Sequence, residues 1–206
     1  MTVALTQAQR SARTRSELLR VAQQRFFRDG YHGTSLDDVA RDAGYSKGAV
    51  YATFKSKGGL FLALCEVVFE QRLEQVRALV ALDPADRLEA LARQPADPRN
   101  DAWLLLCIEF WVRSAPEPEQ LAAFAKIYRR LRQSLAELVG DDPGPLGAQR
   151  WALATLALTN GLALERLIDP EGVPDDLMAE SLRLLMAPAP APADGVARAT
   201  VREVDR

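Results

Sequence analysis

The sequence predicts an all-α protein. Along almost all of its 206 residues, apolar side chains recur at intervals of three and four, as they do on one face of a helix. No alternation typical of a β-strand lasts more than a few positions. Breaks that contain Pro or Gly divide the chain into about nine helices, with three short helices, one long helix and then a larger helical region.

The first two helices are bounded by residues that favour helix ends. The first helix is predicted over about 13–28, because Asp29 and Gly30 follow its apolar stripe. Ser35, with Asp38 three residues later, resembles a capping box and predicts the start of the second helix, which ends at Gly44.

The turn after the second helix is short. Ser46 is the expected N-cap of a third helix in which Val50 and Phe54 point inward, and Ser56 opens a long fourth helix. Only Gly44–Ser46 separate the second and third helices, which is the spacing of a helix-turn-helix.

The remaining helices are predicted between Pro-rich breaks, over about 85–93, 101–114, 117–139, 147–168 and 175–186. The run of alternating Ala and Pro after Met186 predicts a disordered tail over 188–206. These breaks divide the chain into a first unit over 1–57, which a short flexible arm over 1–9 precedes, and a larger unit over 58–187.

The charge is divided unevenly along the chain. Residues 1–57 carry ten Lys and Arg against five Asp and Glu, whereas residues 58–206 carry sixteen against twenty-three, although the net charge is only −2. A basic segment suits a polyanion because Lys and Arg release the counterions of phosphates, but a solvated helix face is also basic by chance.

Several classes of protein are disfavoured. Cys65 and Cys107 lie in apolar helical patterns and are predicted to be buried free thiols in a reducing cytoplasm. No N-terminal apolar segment or membrane-spanning run is present. His32 is the only histidine, and no nucleophile motif, phosphate loop or metal-spaced cluster occurs, so we expect no enzymatic activity, no metal and no cofactor.

The third helix offers a candidate surface for reading DNA. A major groove admits one α-helix, and a short helix braced by its neighbour presents its outer side chains to base edges. The alternative is an ordinary helical hairpin, whose outer face is polar because it is exposed to solvent. The residues free to face the groove are Lys47, Gly48, Ala49, Tyr51 and Thr53.

The chain resembles the TetR family of transcriptional regulators over about 13–64. The resemblance is carried by three segments at fixed spacing, which are Gly33-Thr34-Ser35-Leu36-Asp37-Asp38-Val39-Ala40, Ala43-Gly44-Tyr45-Ser46-Lys47-Gly48-Ala49-Val50-Tyr51 and Phe54-Lys55-Ser56-Lys57. The resemblance implies a homodimer that binds a double-stranded DNA operator. It implies that 1–57 is the DNA-binding domain and that 58–187 is the effector-binding and dimerisation domain, which binds a small molecule.

The resemblance also implies roles for single residues. Ser46 belongs to the interface, Lys47, Gly48, Ala49 and Thr53 face the bases, and the phosphate contacts are Thr34, Ser35, Tyr45, Tyr51 and Lys57. Many relatives carry a hydroxyl residue at the position of Ala49 and a bulky one at that of Ala52, so fewer hydrogen bonds to bases are expected here.

The helices at 147–168 and 175–186 are the predicted dimer seam. They carry more apolar surface than one intramolecular neighbour needs, and two such helices from each subunit form a four-helix bundle about a two-fold axis. Trp151, Leu156 and Leu182 are the predicted interface residues. A wholly intramolecular core is the alternative.

Aromatic residues concentrate on the helices at 101–114 and 117–139 and are candidates for an apolar ligand cavity, although core packing accounts for them equally. Glu109 and Arg113 are further polar candidates. The predicted ligand is a small apolar or amphipathic effector, and the predicted ligand residues are Trp103, Phe110, Trp111, Phe124, Tyr128 and Asn160.

Together these features predict a sequence-specific repressor that a ligand releases from a near-palindromic operator. A transcriptional activator, a ligand-independent DNA binder and a helical interaction module without DNA binding are the alternatives.

Overall fold

The computed structural model describes residues 6–83, 86, 90, 98–139 and 146–186, and the all-α prediction is confirmed. These described ranges contain no strand. Their helices are α1 (Gln7–Gly33), α2 (Leu36–Ala43), α3 (Lys47–Phe54), α4 (Lys57–Val80), α5 (Pro98–Ser114), α6 (Pro118–Val139), α7 (Ala148–Ile168) and α8 (Leu177–Met186). We refer to α1–α3 as the head and to α5–α8 as the body, with α4 between them.

Serine side chains cap the helices that follow α1. The hydroxyls of Ser35, Ser46 and Ser56 each accept a hydrogen bond from the backbone N–H three residues further on, at 3.1, 3.2 and 3.0 Å. These bonds satisfy N–H groups that have no partner inside the helix. The predicted starts of α2, α3 and α4 are confirmed.

Helix α1 begins earlier than predicted. Thr6 and Gln9 form a capping box, in which Gln9 N–H donates to Thr6 Oγ1 at 3.2 Å and Thr6 N–H donates to Gln9 Oε1 at 2.8 Å. Residues 7–9 are therefore helical, which corrects the prediction of a flexible arm over 1–9; residues 1–5 lie outside the described residues. At the other end, Gly30 has a φ of 73° and interrupts the helix near its predicted end.

An arginine joins α1 to α2. The side chain of Arg25 is largely buried, and its Nε donates to Asp42 Oδ2 at 2.5 Å while an NH group donates to Asp29 Oδ2 at 3.1 Å. Two carboxylates on one guanidinium form charge-assisted hydrogen bonds in a fixed geometry. This contact orients α2, the helix that braces α3.

Helix α4 connects the head to the body. It packs against α1 and α3 on one side and against α6 on the other, while α5 packs against α1 and α7. Buried residues from the head, α4 and the body belong to one hydrophobic cluster. The two halves of the molecule are thus mechanically continuous, because a close-packed interior transmits displacement.

Two predicted segments fall largely outside the described residues. Of the helix predicted over 85–93, only Asp86 and Ala90 are described, and both are helical. The predicted tail over 188–206 is outside the described residues altogether.

The prediction for the cysteines is confirmed, since Cys65 and Cys107 are both buried and free. Burial raises the pKa of the Cys107 thiol to about 12 and raises that of Cys65 well above its usual value. No helix in the described part of the chain is long and apolar enough to cross a membrane.

Candidate nucleic-acid interface

The turn between α2 and α3 depends on Gly44. Its φ is 72°, in the left-handed region where a side chain is strained, and its N–H donates to Arg41 O at 3.2 Å. The N–H of Tyr45 donates to Ala40 O at 2.9 Å, and Ser46 then caps α3 directly. The two helices are therefore held in the arrangement of a helix-turn-helix.

Helix α3 has one inner and one outer face. Val50 is 0% exposed and Phe54 is 6% exposed, so these two residues anchor the helix to the head. The side chain of Tyr51 is 49% exposed. The five residues predicted to face DNA from this helix lie on or at the edge of the outer face, with only Ala49 half-buried; they are Lys47, Gly48, Ala49, Tyr51 and Thr53.

Two polar side chains on this face already have partners. Lys47 Nζ forms an ion pair with Asp37 of α2, and both side chains are largely exposed. Thr53 Oγ1 donates to Ala49 O at 2.7 Å. Because an ion pair in water is weak, a phosphate or a guanine acceptor can replace Asp37 at little cost.

Thr34 is not placed as the prediction requires. Its side chain is 2% exposed, and Oγ1 donates to Gly30 O at 2.9 Å, so its hydroxyl caps the end of α1 and does not face solvent. The motif indicates a hydroxyl residue at this position. It does not reveal that this hydroxyl donates its hydrogen bond to the carbonyl of Gly30, four residues earlier.

Of the other predicted phosphate contacts, Ser35 is exposed at the start of α2 and its hydroxyl donates to Asp38 Oδ2 at 2.6 Å. Tyr45 is half-buried against the core. Ser35 is the N-cap of α2, and Tyr45 directly precedes Ser46, the N-cap of α3. At these two helix N-termini, backbone N–H groups and the helix dipole favour an anion.

Lys57 is turned towards the head–body junction. Its Nζ donates to His32 O at 3.1 Å and lies 4.6 Å from the centre of the Tyr31 ring. Burial and the nearby Arg113 lower the pKa of Lys57, while Glu109 acts in the opposite direction. In this conformation the lysine must leave these partners before it can contact a phosphate.

The predicted ligand residues separate into core and cleft. Trp103 and Phe110 are 3% and 0% exposed and stack on Phe61 of α4 at ring distances of 5.6 and 4.9 Å. They are core residues, which was the alternative interpretation of the aromatic pattern. Asn160 Nδ2 donates to Tyr128 Oη at 3.0 Å and joins α7 to α6.

Three of the predicted residues meet at an open cleft between α5 and α6. The cleft has a volume of about 330 Å³. Trp111 is 43% exposed and meets the Phe124 ring edge-on at 5.6 Å, so part of its indole surface is available. The lining residues are Trp111, Leu121, Phe124, Ala125, Tyr128, Arg129 and Arg132.

Two family models together match most of the chain. The model for bacterial regulatory proteins of the tetR family matches residues 18–64, and the model for the C-terminal region of BetI-type transcriptional repressors matches residues 84–187. The chain belongs to the TetR family. Its predicted class, a transcriptional regulator with an N-terminal helix-turn-helix, is thereby confirmed.

Curated relatives of this TetR-family chain are transcriptional regulators. The HTH-type transcriptional regulator TtgR of Pseudomonas putida is 26% identical over 185 residues, covering 81% of this chain and 85% of the relative. The regulator BetI of Serratia proteamaculans is 28% identical over 145 residues, covering 66% and 71%.

Solved structures of TetR-like regulators share the fold. A TetR-family regulator from Rhodococcus sp. matches with a TM-score of 0.66 and 23% identity, covering 85% of this chain and all of its own (100%). A regulator from Saccharomonospora viridis, solved in complex with choline, matches with a TM-score of 0.60 and 22% identity, covering 84% and 94%.

The predicted dimer residues of this TetR-family regulator lie mostly inside the subunit. Trp151 and Leu182 are 7% and 8% exposed, and Leu156 packs partly buried against the core. Their side chains are already covered by the subunit's own core. Apolar residues of α7 and α8 that remain exposed form a different surface, which consists of Leu153, Leu164, Leu167, Ile168 and Leu184.

The head and body of the regulator also meet through polar contacts that the sequence did not indicate. Glu109 of α5 accepts a hydrogen bond from the backbone N–H of His32 at 3.0 Å. His32 therefore donates to the body through its N–H and accepts from Lys57 of α4 through its carbonyl. A second cleft of about 430 Å³ borders this contact, and Glu109 and Arg113 both line it.

Proposed function

We propose that this TetR-family regulator is a homodimeric repressor that binds a near-palindromic operator and leaves it when a small molecule binds the body. The proposed DNA-binding domain is 1–57 and the proposed effector and dimerisation domain is 58–187. The observation that carries the proposal is the outer face of α3, which is exposed, small or polar, and braced by a capped α2. Operator binding would keep the protein with the DNA in the cytoplasm.

In the proposed complex, α3 enters the major groove. Lys47 would exchange Asp37 for a guanine or a phosphate, and the absence of bulk at Gly48 and Ala49 would allow a close approach to the bases. Tyr51 and Thr53 would lie beside them on the face of α3 that meets the DNA. Ser35, Ser46 and Tyr45 would contact the flanking phosphates together with Lys57 once that lysine leaves His32.

The exposed apolar surface of α7 and α8 supports a two-fold dimer. A closed dimer requires one self-complementary surface on each subunit, and an extended apolar surface on a soluble chain favours such an association. A four-helix bundle formed by α7 and α8 of both subunits would cover Leu153, Leu164 and Leu184, which are all exposed in the single chain.

Coupling between ligand and DNA would pass through α5. A ligand that binds the body and displaces α5 would move Glu109 away from the N–H of His32. The carbonyl of His32 accepts a hydrogen bond from Lys57, so this movement would also disturb Lys57. The continuous core would carry the same displacement to α1 and α4. The regulator from Saccharomonospora viridis, which shares this fold, was solved in complex with choline, and this supports the proposal that the present regulator binds a small molecule.

Footprinting tests the proposed operator. Two recognition helices related by a two-fold axis should enter successive major grooves about 34–36 Å apart, so the protected DNA should contain two inverted half-sites. DNA fragments from beside the gene are the first substrates, with transcription from the same fragment as the second measurement. Protection without inverted symmetry, or increased transcription when the site is filled, would contradict the proposal.

Replacing Lys57 with alanine should weaken operator binding and non-specific DNA binding alike, by about tenfold for the loss of one charged phosphate contact. The slope of log affinity against log salt should fall by about one, because one fewer counterion is released. The measurement is a fluorescence-anisotropy titration at several salt concentrations.

Lys126→Ala is the matched control, because Lys126 is an exposed lysine on α6 of the body and its removal changes the net charge equally. The control should retain the affinity and the salt slope of the unaltered protein. If Lys57→Ala also retains both while remaining folded, Lys57 does not contact phosphate.

A further inference from the structure

The cleft between α5 and α6 has a distinct chemical composition. Its apolar wall comes from Trp111, Leu121 and Phe124, and no acidic residue lines it. Its volume of about 330 Å³ lies at the low end of the range for small-molecule sites, which suits a ligand with one or two aromatic ring systems. The rim carries two guanidinium groups, those of Arg129 and Arg132.

The two arginines belong to one face of α6. Leu121, Phe124, Ala125 and Tyr128 precede Arg129 and Arg132 at intervals of three and four, so aromatic and cationic groups project into the same space. The Arg132 guanidinium lies 5.9 Å from the centre of the Tyr128 ring. This cation–π contact holds one positive charge over the apolar wall.

Several arginines of the described residues already form an ion pair with a carboxylate. Arg20, Arg25 and Arg28 are paired in the head, and Arg77 and Arg166 in α4 and the body. Within the described residues, Arg129 and Arg132 form no ion pair with a carboxylate. Their neighbour Arg130 points elsewhere and lines a separate cavity of about 40 Å³ with Glu66 and Glu70.

We propose that this cleft binds a small aromatic anion, with Arg129 and Arg132 on its carboxylate or sulfonate and Trp111 against its ring. The planar guanidinium fork matches such an anion in a bidentate geometry, and the same two charges repel a cationic ligand. The assignment deepens the proposed function, on which its regulatory part rests, by giving the effector a chemical class.

Two fluorescent probes separate the contribution of charge from that of the rings. Anilinonaphthalene sulfonate carries the anion, whereas N-phenylnaphthylamine has the same ring systems without it. The double variant Arg129→Gln/Arg132→Gln should bind the sulfonate about tenfold more weakly, since charged hydrogen bonds are lost, and should bind the neutral probe within about twofold of the unaltered protein. Choline, as a cation, should compete with neither probe.

Two further variants locate the binding. Arg130→Gln removes a neighbouring positive charge outside the cleft and should leave both affinities unchanged. Trp111→Ala should weaken the binding of both probes, because the rings of both stack on the indole. The assignment is overturned if the sulfonate does not bind saturably, or if Trp111→Ala changes the affinity for neither probe. It is also overturned if the double variant binds the sulfonate as tightly as the unaltered protein does, or if its affinities for the two probes fall equally.

Operator binding without probe is measured separately for each variant. It should be unchanged, because the cleft lies in the body, and saturating sulfonate should alter the operator affinity of the unaltered protein by about 5- to 150-fold, as for typical allosteric coupling. An operator affinity that saturating probe leaves unchanged would overturn the regulatory part. If no form of the protein binds DNA, the proposed function fails while the binding result for the cleft stands.

Discussion

Replacing Leu164 with glutamate is expected to dissociate the dimer and, with it, to abolish tight operator binding. Leu164 lies on α7 and is 41% exposed in the single chain, so the substitution leaves the subunit core intact. In the proposed seam the new carboxylate would be buried without a partner, at a cost of about 3 kcal/mol or more in each subunit. Each subunit alone would present one recognition helix and would lose the gain from two linked half-sites.

Light scattering and analytical ultracentrifugation measure this dissociation, and an operator titration measures its consequence. Leu105→Glu is the matched control, because Leu105 is 43% exposed and belongs to α5 and not to the apolar surface of α7 and α8. The control should remain dimeric and bind the operator. A dimeric Leu164→Glu protein with normal operator affinity would place the interface elsewhere.

The head could be predicted closely because its determinants are local. Ser35, Ser46 and Ser56 cap the helices that follow them, and Gly44 takes the left-handed conformation that ends α2. These signals act over three or four residues, so a single sequence is enough to predict them. The start of α1 is also set locally, by the capping box of Thr6 and Gln9, and it differs from the predicted start near residue 13.

The sequence predicts the interface residues of α7 and α8 less well, because α7 is apolar on several sides. Trp151 and Leu182 follow the apolar pattern as clearly as Leu164 does, yet the first two are buried within the subunit and the third is exposed. Periodicity identifies an apolar side but does not tell which neighbour covers it. Only the packing of α7 against α5 and α6 separates the two surfaces.

Contacts between residues that are far apart in the sequence could not be predicted from it. The family motif predicts that Lys57 contacts a phosphate, but in the structure Lys57 donates a hydrogen bond to His32 O, 25 positions away in the sequence. Glu109 reaches the His32 N–H across 77 positions. Such contacts are set by the way α5 packs against α1, for which neither motif nor spacing provides a local signal.

The ring of Phe61 lies where the head, α4 and the body meet, and its truncation should be the most damaging single change to the fold. The side chain is 0% exposed. It meets Phe26 and Tyr31 of the head edge-on at 5.4 and 5.2 Å, and it stacks on Trp103 and Phe110 of the body. Aromatic pairs contribute beyond the area that they bury, so Phe61 stabilises both halves.

Phe61→Ala should lower the free energy of unfolding by about 3–5 kcal/mol, because it removes a buried ring and leaves a cavity between rigid helices. Urea denaturation followed by tryptophan fluorescence measures this loss, since the buried Trp103 stacks directly on Phe61. Protein concentration must be equal in all experiments, because dimerisation itself adds to the apparent stability.

Phe27→Ala provides the matched comparison. Phe27 is only partly buried, and its ring approaches Trp103 at 6.3 Å, so its removal should cost distinctly less than that of Phe61. Equal losses for the two variants would mean that the cluster around Phe61 relaxes into the cavity. In that case the aromatic contacts would not join head and body rigidly, and the coupling proposed through α5 would rest on the Glu109–His32 contact alone.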